Sequence, residues 1–340
     1  MKFALISQDP SHEVRFWINP EHGDATSFMN WVDVWKGFHF SFDRLQNDMS
    51  VLKDFDVVMM SGNPYNFIDI IAIAEFLKST DTVTIFYPEG SVQLYDNSIN
   101  GFYRELYDAW NACDIFSAAE EDKISYYKSF ISSGTIVEFI HVPMRDEMER
   151  GDFLIPRIHK NPKMAVVYGD NNPNHPMIAI ACAKRMGMDV VGIDIDRGKL
   201  PGIKGIFPNV NFTSHSKLPL YPFLRILGRS FCHFYPTEWI GTARQQISCA
   251  ITGTPCIGNR DSHTQKRLFP DLGCGIYDID AMTAKAERLR NDPIFYDQVA
   301  ARAFEQAKFY SLETTKKRFL SAVDNALSLK KKMIAVNAAI

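Results

Sequence analysis

Apolar, β-branched runs that end in turn residues recur through the first half of the chain: KFALIS (2–7), FDVVMMSG (55–62), TVTIFYP (82–88), CDIFSA (113–118) and TIVEFIHVP (135–143). Segments with helical spacing of apolar positions, such as IDIIAIAEFLKST, separate most of them. Runs that are apolar throughout, and not alternating, predict strands covered on both faces, so the alternation with helices predicts a parallel sheet. After the polar, proline-containing connection ERGDFLIPRIHKNP the pattern restarts with KMAVVYG, the helix HPMIAIACAKRMG, MDVVGIDI, SFCHFYP, a helix-like stretch, PCIGN and a charged helical stretch from Ala281 to Lys308. Two doubly wound Rossmann-like α/β domains facing a cleft are expected, over 1–156 and 157–310. The last amphipathic segment, 311–332, places Leu312, Phe319, Val323 and Leu327 on one side and is expected to cross back to the first domain.

A chain of 340 residues with 46% hydrophobic content supports two ordinary cores better than one. No run reaches the roughly 18 apolar residues of a membrane span, and MKFALISQDP lacks the apolar region of a secretion signal, so a soluble cytoplasmic protein is expected. The six cysteines lie far apart or in apolar contexts and read as reduced core residues. The nine histidines show no H-x-x-x-H or H-E-x-x-H spacing and no Walker lysine loop occurs, so neither a metal nor a cofactor is expected. Charge does change the picture: residues 1–156 hold 11 Lys+Arg against 25 Asp+Glu, a balance of −14, whereas the remainder holds 26 against 15, or +11. The second half is therefore the candidate for holding an anion.

Ligands of doubly wound sheets bind beyond the carboxyl ends of the strands. SFCHFYP delivers Pro236, Thr237 and Glu238 to that edge, and a helix expected to start near Ile240 to Thr242 would aim its N–H groups at the same place. Gly241 permits close approach, Thr242 offers a hydroxyl, and Arg244 carries a permanent charge suited to bidentate phosphate contacts. Gly253-Thr254-Pro255 ends that helix and turns the chain into PCIGN.

Residues from about 160 to 325 resemble the donor half of GT-B glycosyltransferases, in which a P-x-x-E … E-A-M-A-x-G-x-P-V-I segment closes over a nucleotide diphosphate sugar. Here the matching stretch is PTEWIGTARQQISCAITGTPCI, followed by AERLRNDPIFYD and AKFYSLETTKKRFLSAV. The paired glutamates of that motif are not both kept: eight positions after Glu238 stands Gln246, and counting back from Gly253 places Ser248 where the second glutamate would be. A narrower resemblance is to phage DNA glucosyltransferases, whose donor domain opens on a strand and glycine loop similar to MAVVYGDNNPNHP. It implies donor contacts from Tyr168, Gly169, Asp170, Pro236, Glu238, Gly241, Thr242, Arg244, Gln246 and Ser248. TIFYPEG resembles the strand that ends on their catalytic acid, which puts Glu89 in the place of a general base for an inverting transfer. Tyr87, Gln8, Asp9 and His12 are weaker neighbours on the acceptor side.

Other signals carry less. Asp194-Ile195-Asp196 and Asp278-Ile279-Asp280 are short acidic repeats that read as strand ends, His22 and His175 as loop histidines, and the aromatic stretch FWINPEHGDATSFMNWVDVWKGFHF as core or lid. The implied activity is hexosyl or pentosyl transfer from a nucleotide sugar, with a UDP-sugar as the expected donor and a glycan, lipid, metabolite or hydroxymethylated DNA base as acceptor. A catalytically silent binding protein and a nucleotide-sugar epimerase of the same fold are the competing readings.

Overall fold

In the computed structural model the described residues are 1–8, 29–46, 48–63, 66–88, 103–118, 120–144, 151–169, 174–193, 200–215, 218–238 and 241–338. The chain divides into two compact units, the first of 1–18, 26–143 and 312–340, the second of 19–25 and 144–311.

The first unit holds a six-stranded parallel sheet of β1 (Phe3–Ser7), β2 (Phe38–Ser41), β3 (Val57–Gly62), β4 (Val83–Pro88), β5 (Ile115–Ala118) and β6 (Ile136–Phe139), in the order β2-β1-β3-β4-β5-β6. β1, β3 and β5 are buried along their whole length, as their unbroken apolar runs require. One face is an aromatic cluster in which Phe86 stacks on Phe116 at 5.7 Å and Phe116 meets Tyr127 at 4.8 Å. The other face is closed by the helix Leu312–Ala338, whose Phe319 lies 5.1 Å from the Trp31 ring and 6.0 Å from that of Phe3. Ala322, Val323 and Ala326 continue that buried stripe. One helical turn beyond, Lys330 donates to the Thr82 carbonyl at 2.7 Å and pairs with Asp114 at 3.1 Å, so its buried ammonium is satisfied. Trp31, from the aromatic stretch, is core.

Counting charge by the observed units, which places the terminal helix in the first and 19–25 and 144–156 in the second, changes the charge picture. The first unit then holds 15 Lys+Arg against 21 Asp+Glu and the second 22 against 19, so the imbalance falls to −6 and +3.

The second sheet is β7 (Asn161–Tyr168), β8 (Asp189–Ile193), β9 (Phe212–His215), β10 (Ser230–Tyr235), β11 (Cys256–Asn259) and β12 (Gly273–Cys274), again all parallel, in the order β12-β11-β10-β7-β8-β9. This is the dinucleotide-fold order: the unit's first and fourth strands, β7 and β10, lie side by side and the chain runs outward from them on both sides. The charged stretch from Ala281 is two helices, Ile279–Asn291 and Pro293–Ala307, broken where Asp292 accepts from the Phe295 N–H at 2.9 Å.

The connection 151–160 packs on this unit. Ile155 donates its N–H to the Thr252 carbonyl, and Lys160 donates to Gly228 O at 2.6 Å, Thr252 O at 3.0 Å and Thr254 Oγ1 at 2.9 Å. These acceptors sit where the helices Leu220–Arg229 and Arg244–Ile251 end, so one ammonium satisfies carbonyls that helix termini leave open. Burial pushes the Lys160 pKa down to about 7. Gly253 stands in the left-handed region at φ 65°, where other residues are strained, and a Cβ there would lie 2.8 Å from Leu154 Cδ1, so glycine suits this close turn between helix and strand.

Candidate functional site

The switch between β7 and β10 is where two neighbouring crossovers leave in opposite directions and leave room above the strand ends. Loops from β7, β10 and β12 meet there. After β7 the chain turns at Gly169, φ 60°, whose N–H donates to Ile193 O at 2.8 Å. It returns at Asn174, which bridges Thr237, and His175, whose N–H donates to Pro236 O at 3.0 Å. Pro236 and Thr237 are buried at the end of β10, and Asn259, ending β11, donates its side-chain amide to the Thr237 carbonyl at 3.0 Å. The backbone after β10 is thus held from both sides.

Glu238 stands on this frame. Its Oε1 lies 3.1 Å from His175 Nε2 and accepts from Tyr277 Oη, also at 3.1 Å, while the His175 and Tyr277 rings meet at a tilt, 5.3 Å between centroids. Its Oε2 has no hydrogen-bond partner among the described residues. The bond to Glu238 raises the Tyr277 phenol pKa, since it favours the protonated form. Tyr277 also lines an open pocket of about 780 Å³ with Asn259, Arg260, Asp261, Gly275, Ile276 and Asp278. Amide, guanidinium, carboxylate and phenol around one concavity are the groups that bind hydroxyl-rich ligands.

The helix expected near Ile240 to Thr242 starts later, at Arg244. Ala243 is extended, and its N–H is taken by Thr264 Oγ1 at 2.7 Å, so the chain enters the helix only after that bond. Gly241 is buried with its carbonyl facing Ser262 and Thr264, and Thr242 and Arg244 are half-buried at the helix entrance. Gln246 is fully buried: its amide donates to Gln265 Oε1 at 2.6 Å and accepts from Ser262 Oγ at 3.2 Å. Ser248 is likewise buried in the helix. Both side chains are therefore enclosed, whereas that of Glu238 is half-exposed.

Tyr168 contributes the last residue of β7, and Asp170 lies outside the described residues. So do Glu89, Asp9 and His12, as well as His22 and the first acidic repeat. Gln8 is exposed just after β1. Tyr87 packs against the cluster under the terminal helix, where burial raises its phenol pKa. In the second acidic repeat Asp278 caps the helix Ile279–Asn291 through the Ala281 N–H, and Asp280 pairs with Arg185. Asn259 and Tyr277 were not singled out in the sequence. Asn259 closes the run PCIGN and was within reach of the strand-end rule, but β12, which precedes Tyr277, is two residues long and leaves no apolar run to read.

No protein-family model and no curated protein matches the chain. Solved structures do. A sucrose-phosphate synthase from Thermosynechococcus elongatus superposes with a TM-score of 0.70 at 11% identity over 100% of both chains. An alpha-glucosyltransferase in complex with UDP-glucose and DNA containing an abasic site gives 0.63 at 10% identity, covering 96% of this chain and 99% of that one. Anabaena HepE in complex with UDP gives 0.62 at 8% identity over 100% of both. The fold is that of the GT-B glycosyltransferases. The best-built strand-end cluster of the second unit, among the described residues, is His175, Glu238 and Tyr277. Among the described residues no helix is long and apolar enough to cross a membrane.

Proposed function

We propose that this GT-B chain is a glycosyltransferase that takes a hexosyl or pentosyl group from a UDP-sugar bound by its second unit. The observation that carries the reading is the cluster of His175, Glu238 and Tyr277 at the β7/β10 switch, beside a polar pocket and the entrance of the helix Arg244–Ile251. In this reading Arg244 and the N–H groups of Gly241 and Thr242 hold the diphosphate, where negative charge grows as the glycosidic bond breaks. Gly169 and Asp170 border the donor from the β7 side. Glu238 offers Oε2 to a sugar hydroxyl while His175 and Tyr277 fix its other oxygen, and Asn259, Arg260 and Asp261 take further hydroxyls. Gln246 and Ser248, which stand where a second glutamate is expected, act through packing beneath the site. Glu89 is assigned as general base for the acceptor hydroxyl, with Gln8, Asp9, His12 and Tyr87 on the acceptor side.

Incubating the protein with a UDP-sugar panel and candidate acceptors, and measuring UDP release, tests this. Release that depends on an acceptor is expected; donor binding without release under any condition supports a silent binding protein instead, and sugar interconversion without an acceptor supports an epimerase. Glu89→Gln keeps the size of the side chain and removes its proton acceptor, so turnover is expected to fall by about 10²- to 10⁴-fold with UDP affinity kept. Turnover within threefold of wild type contradicts the base assignment, and a product that retains the donor's anomeric configuration contradicts an inverting transfer.

A DNA acceptor is the second reading. It draws on similar alpha-glucosyltransferase structures that hold DNA, two of them with an HMU base, and on the lysines of the terminal helix at 316, 317, 331 and 332. Transfer to hydroxymethylated DNA that weakens steeply with salt is its expected signature.

A further inference from the structure

Apart from the strand-end site, the second unit buries a cluster of three metal-ligating side chains. His233 on β10 and Cys256 on β11 are direct partners in the parallel register, so their side chains stand next to each other on one face of the sheet. Cys249 comes down onto that face from the helix Arg244–Ile251. One imidazole nitrogen and the two sulfurs lie within 4.8 Å of one another, and all three residues are at most 1% exposed.

The imidazole is oriented as a ligand. Its Nδ1 lies 2.9 Å from the Val166 carbonyl, which can only accept, so Nδ1 carries the hydrogen and Nε2 carries the lone pair. Nε2 is buried and has no hydrogen-bond partner among the described residues. A buried acceptor left open costs free energy unless something fills it. A carbonyl that fixes the ring through its other nitrogen is the arrangement usual around metal-bound histidine. Gln246 adds a further contact, with its side-chain amide against the Cys256 sulfur.

We propose that His233, Cys249 and Cys256 form a binding site for a thiophilic closed-shell cation, of which Zn²⁺ and Cu⁺ are the two sources. Metal–sulfur bonds of about 2.3 Å and a metal–nitrogen bond of about 2.0 Å imply ligand separations of about 3.5 to 3.8 Å, so the three atoms, within 4.8 Å of one another, close by no more than about 1.3 Å on binding. Both thiols lose their protons to solvent as two metal–sulfur bonds form, the Nε2 lone pair makes the third bond, and no electron is transferred. Neutral imidazole with two thiolates is a soft ligand set that favours these ions over Mg²⁺ or Ca²⁺. Three ligands in a buried site suit trigonal Cu⁺ directly, whereas Zn²⁺ needs a fourth donor. The site is structural: it would tie two central strands to the helix that opens at Arg244.

The test uses the full chain, unfolded and refolded in a thiol reductant with either Zn²⁺ or Cu⁺, freed of loose ion by gel filtration and assayed for metal by mass spectrometry. About one ion per chain is expected from one of the two arms, and Co²⁺ used in place of Zn²⁺ should show sulfur-to-cobalt charge transfer if the zinc arm is the one that binds. Retention by Cu⁺ alone identifies the copper class, and retention by Zn²⁺ alone the zinc class. Cys249→Ala combined with Cys256→Ala should cut the retained metal at least about tenfold, while Cys113→Ala in the other unit keeps it. Should the double variant fail to fold, His233→Gln read in the same assay serves in its place. No retained ion in either arm of refolded wild type, or equal retention by the variants, overturns the proposal.

Discussion

In the first unit the sheet is closed on one face by stacked aromatics and on the other by Phe319 of a helix from the far end of the chain, and polar groups such as Thr84, Asp114 and Lys330 pair with one another. The second unit has the same number of parallel strands but routes hydrogen bonds through its interior: Lys160 onto helix ends, Gln246 and Gln265 beneath the strand ends, and Asn259 onto the loop after β10. The difference teaches where rigidity is placed. Apolar packing holds an element against a sheet but leaves loop backbone free to slide, whereas directed hydrogen bonds fix the carbonyls and side chains that face a ligand. The second unit spends its polar residues immediately under the loops that carry Glu238 and His175.

Breaking the apolar side of this comparison should have the largest effect. Phe319→Ala empties the space between Trp31, Trp35 and Phe3 and is expected to destabilise the first unit by about 3 to 5 kcal/mol, read by denaturant unfolding. A loss below about 1 kcal/mol would mean that the terminal helix does not close that face.

On the polar side, Lys160→Met removes the donor to three buried acceptors and is expected to cost about 2 to 3 kcal/mol, less than the aromatic truncation. Unchanged thermal stability would deny that the lysine ties the helix ends together.

The two units should also respond to pH in opposite directions. Burial raises the Glu120 pKa from an ordinary 4.5 to about 7, against the weaker opposing effect of the Tyr127 hydroxyl. Between those values the folded chain holds a proton the unfolded chain has lost, so Glu120's contribution to the first unit is full below about 4.5 and fades as pH rises through about 7. Lys160 is the reverse: between about 7 and 10.5 the unfolded chain holds a proton the folded chain lacks, so stability of the second unit rises with pH across that range. Glu120→Gln should flatten the first trend and Lys160→Met the second, measured as unfolding free energy against pH.

The smallest effect is at the site itself. Tyr277→Phe deletes one of the two bonds to Glu238 Oε1 and should weaken donor-sugar binding by roughly 2- to 10-fold while leaving UDP affinity unchanged. An equal loss for UDP would move Tyr277 from the sugar to the nucleotide.

Much of this was legible in the sequence, for reasons that can be named. Strands such as FALIS and SFCHFY are buried on both faces and therefore read as unbroken apolar runs. β2 (FHFS) and β9 (FTSH) went unread because polar residues break their apolar runs, and β12 because it is two residues long. Strand order is not written locally at all, so the differing switch points of the two sheets came only from the structure. Pro236 and Glu238 are legible as candidates because a strand end announces them, and Tyr277 is not because it meets Glu238 across 39 residues. The His233, Cys249 and Cys256 cluster has no motif spacing, since register pairs two members across strands and a helix supplies the third.

A UDP-sugar donor requires the second unit to hold a nucleotide diphosphate at the β7/β10 switch. Calorimetric titration of UDP into wild type, Arg244→Ala and Glu89→Gln puts that claim to a single measurement. One-site binding is expected, weakened by about 1.5 to 3 kcal/mol in Arg244→Ala through loss of a charge-assisted phosphate contact and unchanged in Glu89→Gln. Absence of UDP binding by wild type, or equal affinity of wild type and Arg244→Ala, would contradict it.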